Sequence, residues 1–210
     1  MTTSATSNDF ENSVRAALQK SNPFIERPYQ CDLLHLVSTC CLEHGVAKGA
    51  NSLVELYDAL GTKFSPEQSC AVLREMLTMV DVKEEFVKQL PSVDKGEAFN
   101  TGEPAGSLNF PDFSFQKTMI MVIKELGDEW KQLANRLTDD ERGTATGNIH
   151  SAPQLFMCLL KTNTISQERK NESYEFLASK LLDIGRNDIA DRLQPSGQYG
   201  NGTYECLDYS

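Results

Sequence analysis

The stretch SYEFLASKLLDIGRNDIADRL, residues 173–193, decides how the chain folds. Its apolar residues recur at steps of three to four positions, which is typical of an amphipathic helix with one buried stripe: Tyr174, Leu177, Leu181 and Ile184. Gly185 supplies the left-handed backbone position at which helices commonly end. A second, short helix is predicted directly after it, since Ile189 and Leu193 lie four residues apart. The sequence therefore predicts a long helix, a glycine hinge and a short helix.

Composition sets limits on the fold and on the partners. The chain has 210 residues, of which 40% are hydrophobic and 24% are charged, with a net charge of −10. This length suits two domains of roughly 90 residues each. The negative charge is spread along the chain, and because binding to nucleic acid needs clustered Lys and Arg, we expect no nucleic-acid partner.

Targeting signals are not recognised in the sequence. No apolar run approaches the ~20 residues of a membrane-spanning helix, and the start MTTSATSNDFENS has neither the basic nor the apolar part of a secretory signal. Six cysteines in such a chain indicate reduced thiols rather than a disulfide framework. We therefore expect a cytoplasmic protein with no membrane insertion.

Helical periodicity runs through both halves of the chain, and no strand-like alternation interrupts it. The first half, residues 8–90, shows five helices and room for a sixth near 45–50. Residues 91–111 are rich in Pro, Gly, Ser and Asn, which predicts a flexible linker. The second half, residues 112–194, repeats the helical pattern, and residues 195–210 are expected to form a flexible tail.

Helix starts are marked by capping signals. A capping box pairs a side chain at the N-cap with Glu or Gln three residues later, and the pairs Asn8 with Glu11, Ser65 with Gln68 and Thr138 with Glu141 fit it. Asn51, Ser151 and Ser166 are predicted to cap three further helices. Residues 1–7 lie before the first of these signals and are expected to be disordered.

Motifs for catalysis are not found. The sequence contains no glycine-rich phosphate loop, dinucleotide fingerprint or nucleophile elbow. Cys40, Cys41 and His44 could share one side of a helix, but a structural zinc site needs four ligands, usually in paired C-x2-C spacing. The acidic run 139–141 fits a solvated helix start, with an acidic patch for a protein partner as the alternative. We therefore expect neither an enzyme nor a cofactor or metal.

The second half resembles a death domain. The segment LGDEWKQLANRL, residues 126–137, is similar to the end of that family's first helix and its second helix, with Trp130 after an acid and a closing L-A-x-x-L. The helices that follow match in order and end at Arg186-x-Asp188-Ile189. Within this motif we expect Arg186 and Asp188 to act more as an intramolecular clamp than as a contact with a partner.

The first half resembles a death effector domain over residues 8–90. That family carries a charge triad, an acid on the second helix and an R-x-D-L motif near the end. Asp32 stands where the acid belongs, and the segment KEEF, residues 83–86, stands where R-x-D-L belongs. Lys83 keeps the positive charge but lacks the two-pronged geometry of arginine.

A death effector domain followed by a death domain is the order found in the Fas-associated death-domain adaptor family. The resemblance implies an all-α fold of two six-helix death-fold bundles and a divergent member of that family, with an invertebrate origin left open. It further implies a signalling adaptor of apoptosis or innate immunity. The second half would bind a death-domain receptor or adaptor, and the first half an initiator caspase prodomain. Self-assembly into oligomers or filaments would fit such bundles.

The resemblance also implies candidate contact residues. Those in the first half are Asp32, His35, Leu36, Leu73, Met76, Lys83 and Glu85. Those in the second half are Asp128, Lys131, Arg136, Asp139, Asp140, Glu141, Arg142, Arg186 and Asp188.

Other interpretations remain open from the sequence. A tandem death effector protein that regulates caspase activation would carry an effector domain at each end, although Trp130 favours a death domain in the second half. A helical adaptor of an unrelated family and a helical enzyme or metal protein are the remaining alternatives.

Overall fold

The computed structural model describes residues 3–20, 28–39, 50–94, 98, 110–143 and 149–193. The regular structure in this part of the chain is helical, with no strand, which confirms the all-α prediction. The helices of the first half are α1 (Thr3–Gln19), α2 (Pro28–Ser38), α3 (Leu53–Gly61), α4 (Pro66–Met79) and α5 (Glu84–Val87). None of the helices in these ranges is both long and apolar enough to cross a membrane.

The second half begins with α6 (Ser114–Leu126), and a 3-10 turn (Gly127–Glu129) follows it. Its remaining helices are α7 (Trp130–Arg136), α8 (Asp139–Arg142), α9 (Ala152–Lys161), α10 (Lys170–Leu182) and α11 (Asn187–Leu193). Gly185 has a φ of +79° between α10 and α11. The long helix, glycine hinge and short helix predicted from residues 173–193 are therefore present.

Three of the six predicted helix starts are confirmed. Ser65 and Thr138 each form a complete capping box, in which the side chain accepts from the backbone N–H three residues on and the reverse bond is also made. Ser151 caps α9 by accepting from the backbone N–H of Gln154. These starts depend on residues three positions apart, so the local sequence determines them.

Three predicted starts need correction. Helix α1 begins at Thr3, so Asn8 lies inside the helix and the expected disorder of residues 1–7 is wrong from Thr3 onward. Residues 3–8 contain neither Gly nor Pro, which would oppose helix extension. Ser52 rather than Asn51 caps α3. Ser166 accepts from the N–H of Arg169, which places its cap in the turn before α10.

The start of the predicted linker lies against the first half. Gln68 Nε2 donates to the Ala98 carbonyl at 2.9 Å, and the Ala98 N–H donates to the Asp94 carbonyl at 2.9 Å. Residues 95–97 and 99–109 lie outside the described residues, as do the predicted tail and residues 45–49 of the possible helix at 45–50.

The buried side chains of both halves join one hydrophobic cluster. In the first half α1 packs against α3 and α4, and in the second half α10 packs against α11. Helix α2 of the first half also packs against α9 and α6 of the second. The two halves are therefore in direct contact along α2.

Candidate functional site

The Arg186-x-Asp188 motif forms an intramolecular clamp. Arg186 donates to both carboxylate oxygens of Asp188, from Nε at 2.9 Å and from Nη2 at 2.8 Å. Its Nη1 donates to the Glu125 carbonyl at 2.9 Å and also contacts the Glu129 carboxylate. The Arg186 side chain is only 19% exposed. The Arg186–Asp188 pair is the predicted clamp, and the contacts with Glu125 and Glu129, which the sequence did not predict, tie the start of α11 to the end of α6.

Electrostatics at the clamp favour the charged forms of both partners. The hydrogen bonds from Arg186 hold the pKa of Asp188 at about 2, below its ordinary 3.8. In return, the hydrogen bonds to Asp188 and Glu129 raise the pKa of the Arg186 guanidinium. Asp188 therefore keeps its negative charge at any pH near neutrality.

A corner of the second half, formed by α7, α8 and the 3-10 turn before them, exposes charges of both signs. The exposed candidates there are Asp128, Lys131, Arg136, Asp139 and Asp140. Among them, Lys131 lies 5.9 Å from the Trp130 ring centroid, and Asp139 pairs with Arg142 while remaining 87% exposed. We name this set the charged corner.

Two neighbouring candidates serve the fold instead. Glu141 completes the capping box with Thr138 and pairs with Lys180 at 3.0 Å, where the side chains are only 23% and 18% exposed. Burial alone would raise the pKa of Glu141, but the hydrogen bonds from the Thr138 backbone and from Lys180 outweigh it, and the pKa is lowered. Arg142 is 24% exposed and pairs with Asp139. We therefore set Glu141 and Arg142 apart from the charged corner.

Three candidates of the first half are core residues, and their prediction as surface contacts needs correction. Leu36 is 1% exposed, and Leu73 and Met76 are fully buried. A side chain enclosed in this way cannot reach a partner while the chain keeps this arrangement. The helical period identified an apolar face, but it does not distinguish a face buried in the core from one open to a partner.

Asp32 makes a contact that the resemblance did not imply. Its Oδ2 accepts from Ser151 Oγ at 3.0 Å and from Gln154 Nε2 at 3.1 Å, both in the second half. The described hydrogen bonds and ion pairs do not join it to Lys83, and Lys83 and Glu85 are exposed around the start of α5. The expected charge triad is therefore replaced by a contact between the halves. Residues 119 positions apart carry no local signal of such a contact.

His35 is also used inside the molecule. Its Nε2 lies 3.0 Å from the Ala50 carbonyl, which can only accept, so the imidazole donates there. The ring links α2 to the segment before α3. Its position supports a role in the fold of the first half.

Two of the described cysteines, Cys31 and Cys70, are free thiols of low reactivity at neutral pH. Burial raises the pKa of the Cys31 thiol to about 11, with the Asp32 charge as a second cause, and burial raises the pKa of Cys70 to about 11. Because the thiolate is the nucleophile and the metal ligand, these two thiols are poorly suited to either task. Cys40, Cys41 and His44 lie outside the described residues. Within the described ranges no group of three His, Cys, Asp or Glu could hold a metal ion.

Comparisons of the chain with models of protein families, with curated proteins and with solved structures found no match. The candidate residues therefore depend on the geometry described above and on the sequence motifs. Of these, the Arg186 clamp and the charged corner are the features that bear most directly on function.

Proposed function

We propose that the chain is a non-enzymatic signalling adaptor that resembles the Fas-associated death-domain family. Its second half binds the death domain of a receptor or upstream adaptor, and its first half recruits an initiator caspase prodomain. The output is apoptosis or innate immunity. The motif resemblance and the all-helical fold support this proposal, and the charged corner is its main structural support.

The charged corner suits a contact with a charged protein partner. It presents exposed acids and bases on consecutive elements of the second half, while Arg186 and Glu141 are used in intramolecular pairs. Complementary charges of this kind speed encounter and select among partners, because a wrong pairing of like charges is costly. A helical domain with such a corner would recognise another domain with the opposite pattern.

A capture experiment with the full chain tests this proposal. Asp140→Lys reverses a charge of the charged corner, and Glu175→Lys makes the same change at an exposed position of α10. We expect Asp140→Lys to lower the capture of a death-domain bait by about tenfold or more, because like charges at an interface cost several kcal/mol. Glu175→Lys should leave that capture unchanged. Equal effects of the two variants would contradict the proposal.

The same capture experiment, with one further variant, tests the role of the first half. Glu85→Lys changes an exposed charge in α5, and we expect it to weaken the capture of a caspase-prodomain bait while leaving the capture of a death-domain bait unaffected. If Asp140→Lys also weakened prodomain capture, a tandem effector protein would be the better interpretation. Absence of any capture by the unaltered chain would refute the adaptor function.

A further inference from the structure

Within the described ranges, two ion pairs join the halves, and both have the same polarity. Lys117 Nζ of α6 lies 2.7 Å from Glu75 Oε1 of α4, and Glu75 is only 16% exposed. Lys124, two turns further along α6, contacts the Asp81 carboxylate just after α4. Lys124 Nζ also lies 3.5 Å from the Met79 carbonyl. In each pair the first half supplies the acid and the second half supplies the base.

The Asp32 contact continues this pattern. Asp32 is again an acid of the first half, and it accepts from two donors of the second half, the Ser151 hydroxyl and the Gln154 amide. Ser151 is the N-cap of α9 and Gln154 lies in its first turn, so the carboxylate lies at the positive end of that helix. Lys124 lies beside the last carbonyls of α4, at the negative end of that helix. In both places, the charged side chain therefore lies at the helix end of opposite partial charge.

Helix α2 is buried over an unusually wide part of its circumference. Leu33, Leu34, Leu36, Val37 and Ser38 are all buried. At 100° per residue these positions cover an arc of roughly 200°, against the ~100° stripe of a helix packed on one side. Helix α2 packs against α4 in its own half and against α9 and α6 in the other. The second half therefore covers a part of α2 that a lone bundle would leave open.

The two ion pairs lie at an edge of the contact that is open to solvent. A surface groove of about 290 Å³ lies beside them, lined by Met79, Ile120 and Met121 together with Lys117, Lys124 and Glu125. The side chains of Lys117 and Lys124 are 56% and 37% exposed. Because salt screens charges that solvent can reach, this edge is the part of the contact that salt weakens first.

We propose that this contact is a reversible closure of the chain, in which the second half covers α2 and is held by the acids Asp32, Glu75 and Asp81. Opening uncovers α2 for a partner of the first half, and this consequence rests on the proposed function. The closure of the chain does not depend on the proposed function. Because ion pairs hold one edge of the contact, added salt weakens that edge and shifts the equilibrium towards the open form.

Cys158 offers a native reporter of the closed form. It lies four residues after Gln154 on α9, which places it on the face of that helix that meets Asp32. It is a free thiol, only 7% exposed. Its rate of alkylation by iodoacetamide, followed in the full chain by peptide mass spectrometry, measures opening. Cys70 is fully buried within the first half and serves as the internal control for unfolding.

Charge reversal in one ion pair tests the closure. Lys124→Glu faces Asp81 with a like charge, and since a surface ion pair shifts an equilibrium by up to about fivefold, we expect alkylation of Cys158 to rise by roughly fivefold. The matched control is Lys88→Glu, which makes the same change in an ion pair with Glu84 inside the first half. It should leave the Cys158 rate unchanged. Adding Asp81→Lys to Lys124→Glu restores an ion pair of reversed polarity and should restore slow alkylation.

Three results would overturn the closure. They are equal Cys158 rates in Lys124→Glu and Lys88→Glu, a failure of the added Asp81→Lys to slow alkylation, or a parallel rise at Cys70, which would indicate unfolding. Capture of a caspase-prodomain bait by the same chains tests the covering of α2 and should rise with the Cys158 rate. A rise at Cys158 alone, with no capture by any chain, would support the closure and refute the proposed function.

Discussion

Replacing Arg186 by methionine removes the clamp while keeping an unbranched side chain of similar length. Of its contacts, the Nη1 bond to the Glu125 carbonyl matters most for stability. That carbonyl belongs to the last turn of α6, where carbonyls lack helical partners. Loss of a hydrogen bond from a charged donor costs about 1.5–3 kcal/mol. The carboxylates of Asp188 and Glu129 are 60% and 45% exposed, so their ion pairs add little.

We therefore expect Arg186→Met to lower the free energy of unfolding by about 2 kcal/mol. With a urea dependence of roughly 2 kcal/mol per molar, the unfolding midpoint should fall by about 1 M. The assay is urea unfolding followed by circular dichroism and by the fluorescence of Trp130. It is the sole tryptophan and directly follows Glu129, so it reports on the second half.

The chain offers a matched control for this change. Arg192 also contacts Glu125, but through the carboxylate, and its side chain is 54% exposed. Arg192→Met should therefore cost less than about 1 kcal/mol. Equal midpoints for Arg186→Met and Arg192→Met would refute the reasoning, because the bond to the backbone would then contribute no more than a surface ion pair.

Two further predictions concern pH and the glycine hinge. Because the pKa of Asp188 in the folded chain is about 2, below its ordinary 3.8, its ion pair adds stability above pH 3.8 that is lost as the pH falls towards 2. Urea titrations at fixed pH give the unfolding free energies of the unaltered chain and of Arg186→Met. The difference between them should become smaller as the pH falls from 3.8 towards 2. A difference that stays constant over this range would contradict the prediction. Gly185→Ala should destabilise by about 1–2 kcal/mol because φ is +79° there. Gly61→Ala, at the end of α3 with open space for a Cβ, should be neutral or stabilising in the same urea assay, and equal effects would contradict the backbone argument.

The candidate site was predictable where its signal is local. Arg186 and Asp188 are two residues apart, and the clamp they form was expected from the motif. The same holds for the capping boxes at Ser65 and Thr138, whose partners lie three residues away. Asn8 shows the limit, since a good capping residue does not end a helix that can extend beyond it.

Burial was less predictable than periodicity. Leu36, Leu73 and Met76 have the spacing of an apolar helix face, and that face is real. Whether a face meets the core, the other half or a partner depends on which helices pack against it. Helical spacing contains no information on that choice.

By itself, the sequence determined the helical class, three of the six predicted helix starts, and the pair of Arg186 with Asp188, because each start and the pair depend on side chains within a few residues. Only the tertiary structure decided that Asp32 meets Ser151 and Gln154, and that lysines of α6 meet acids at the end of α4. Those contacts join residues some 40 to 120 positions apart. They form only when two helical halves pack together, and no local pattern records how two folded surfaces will fit.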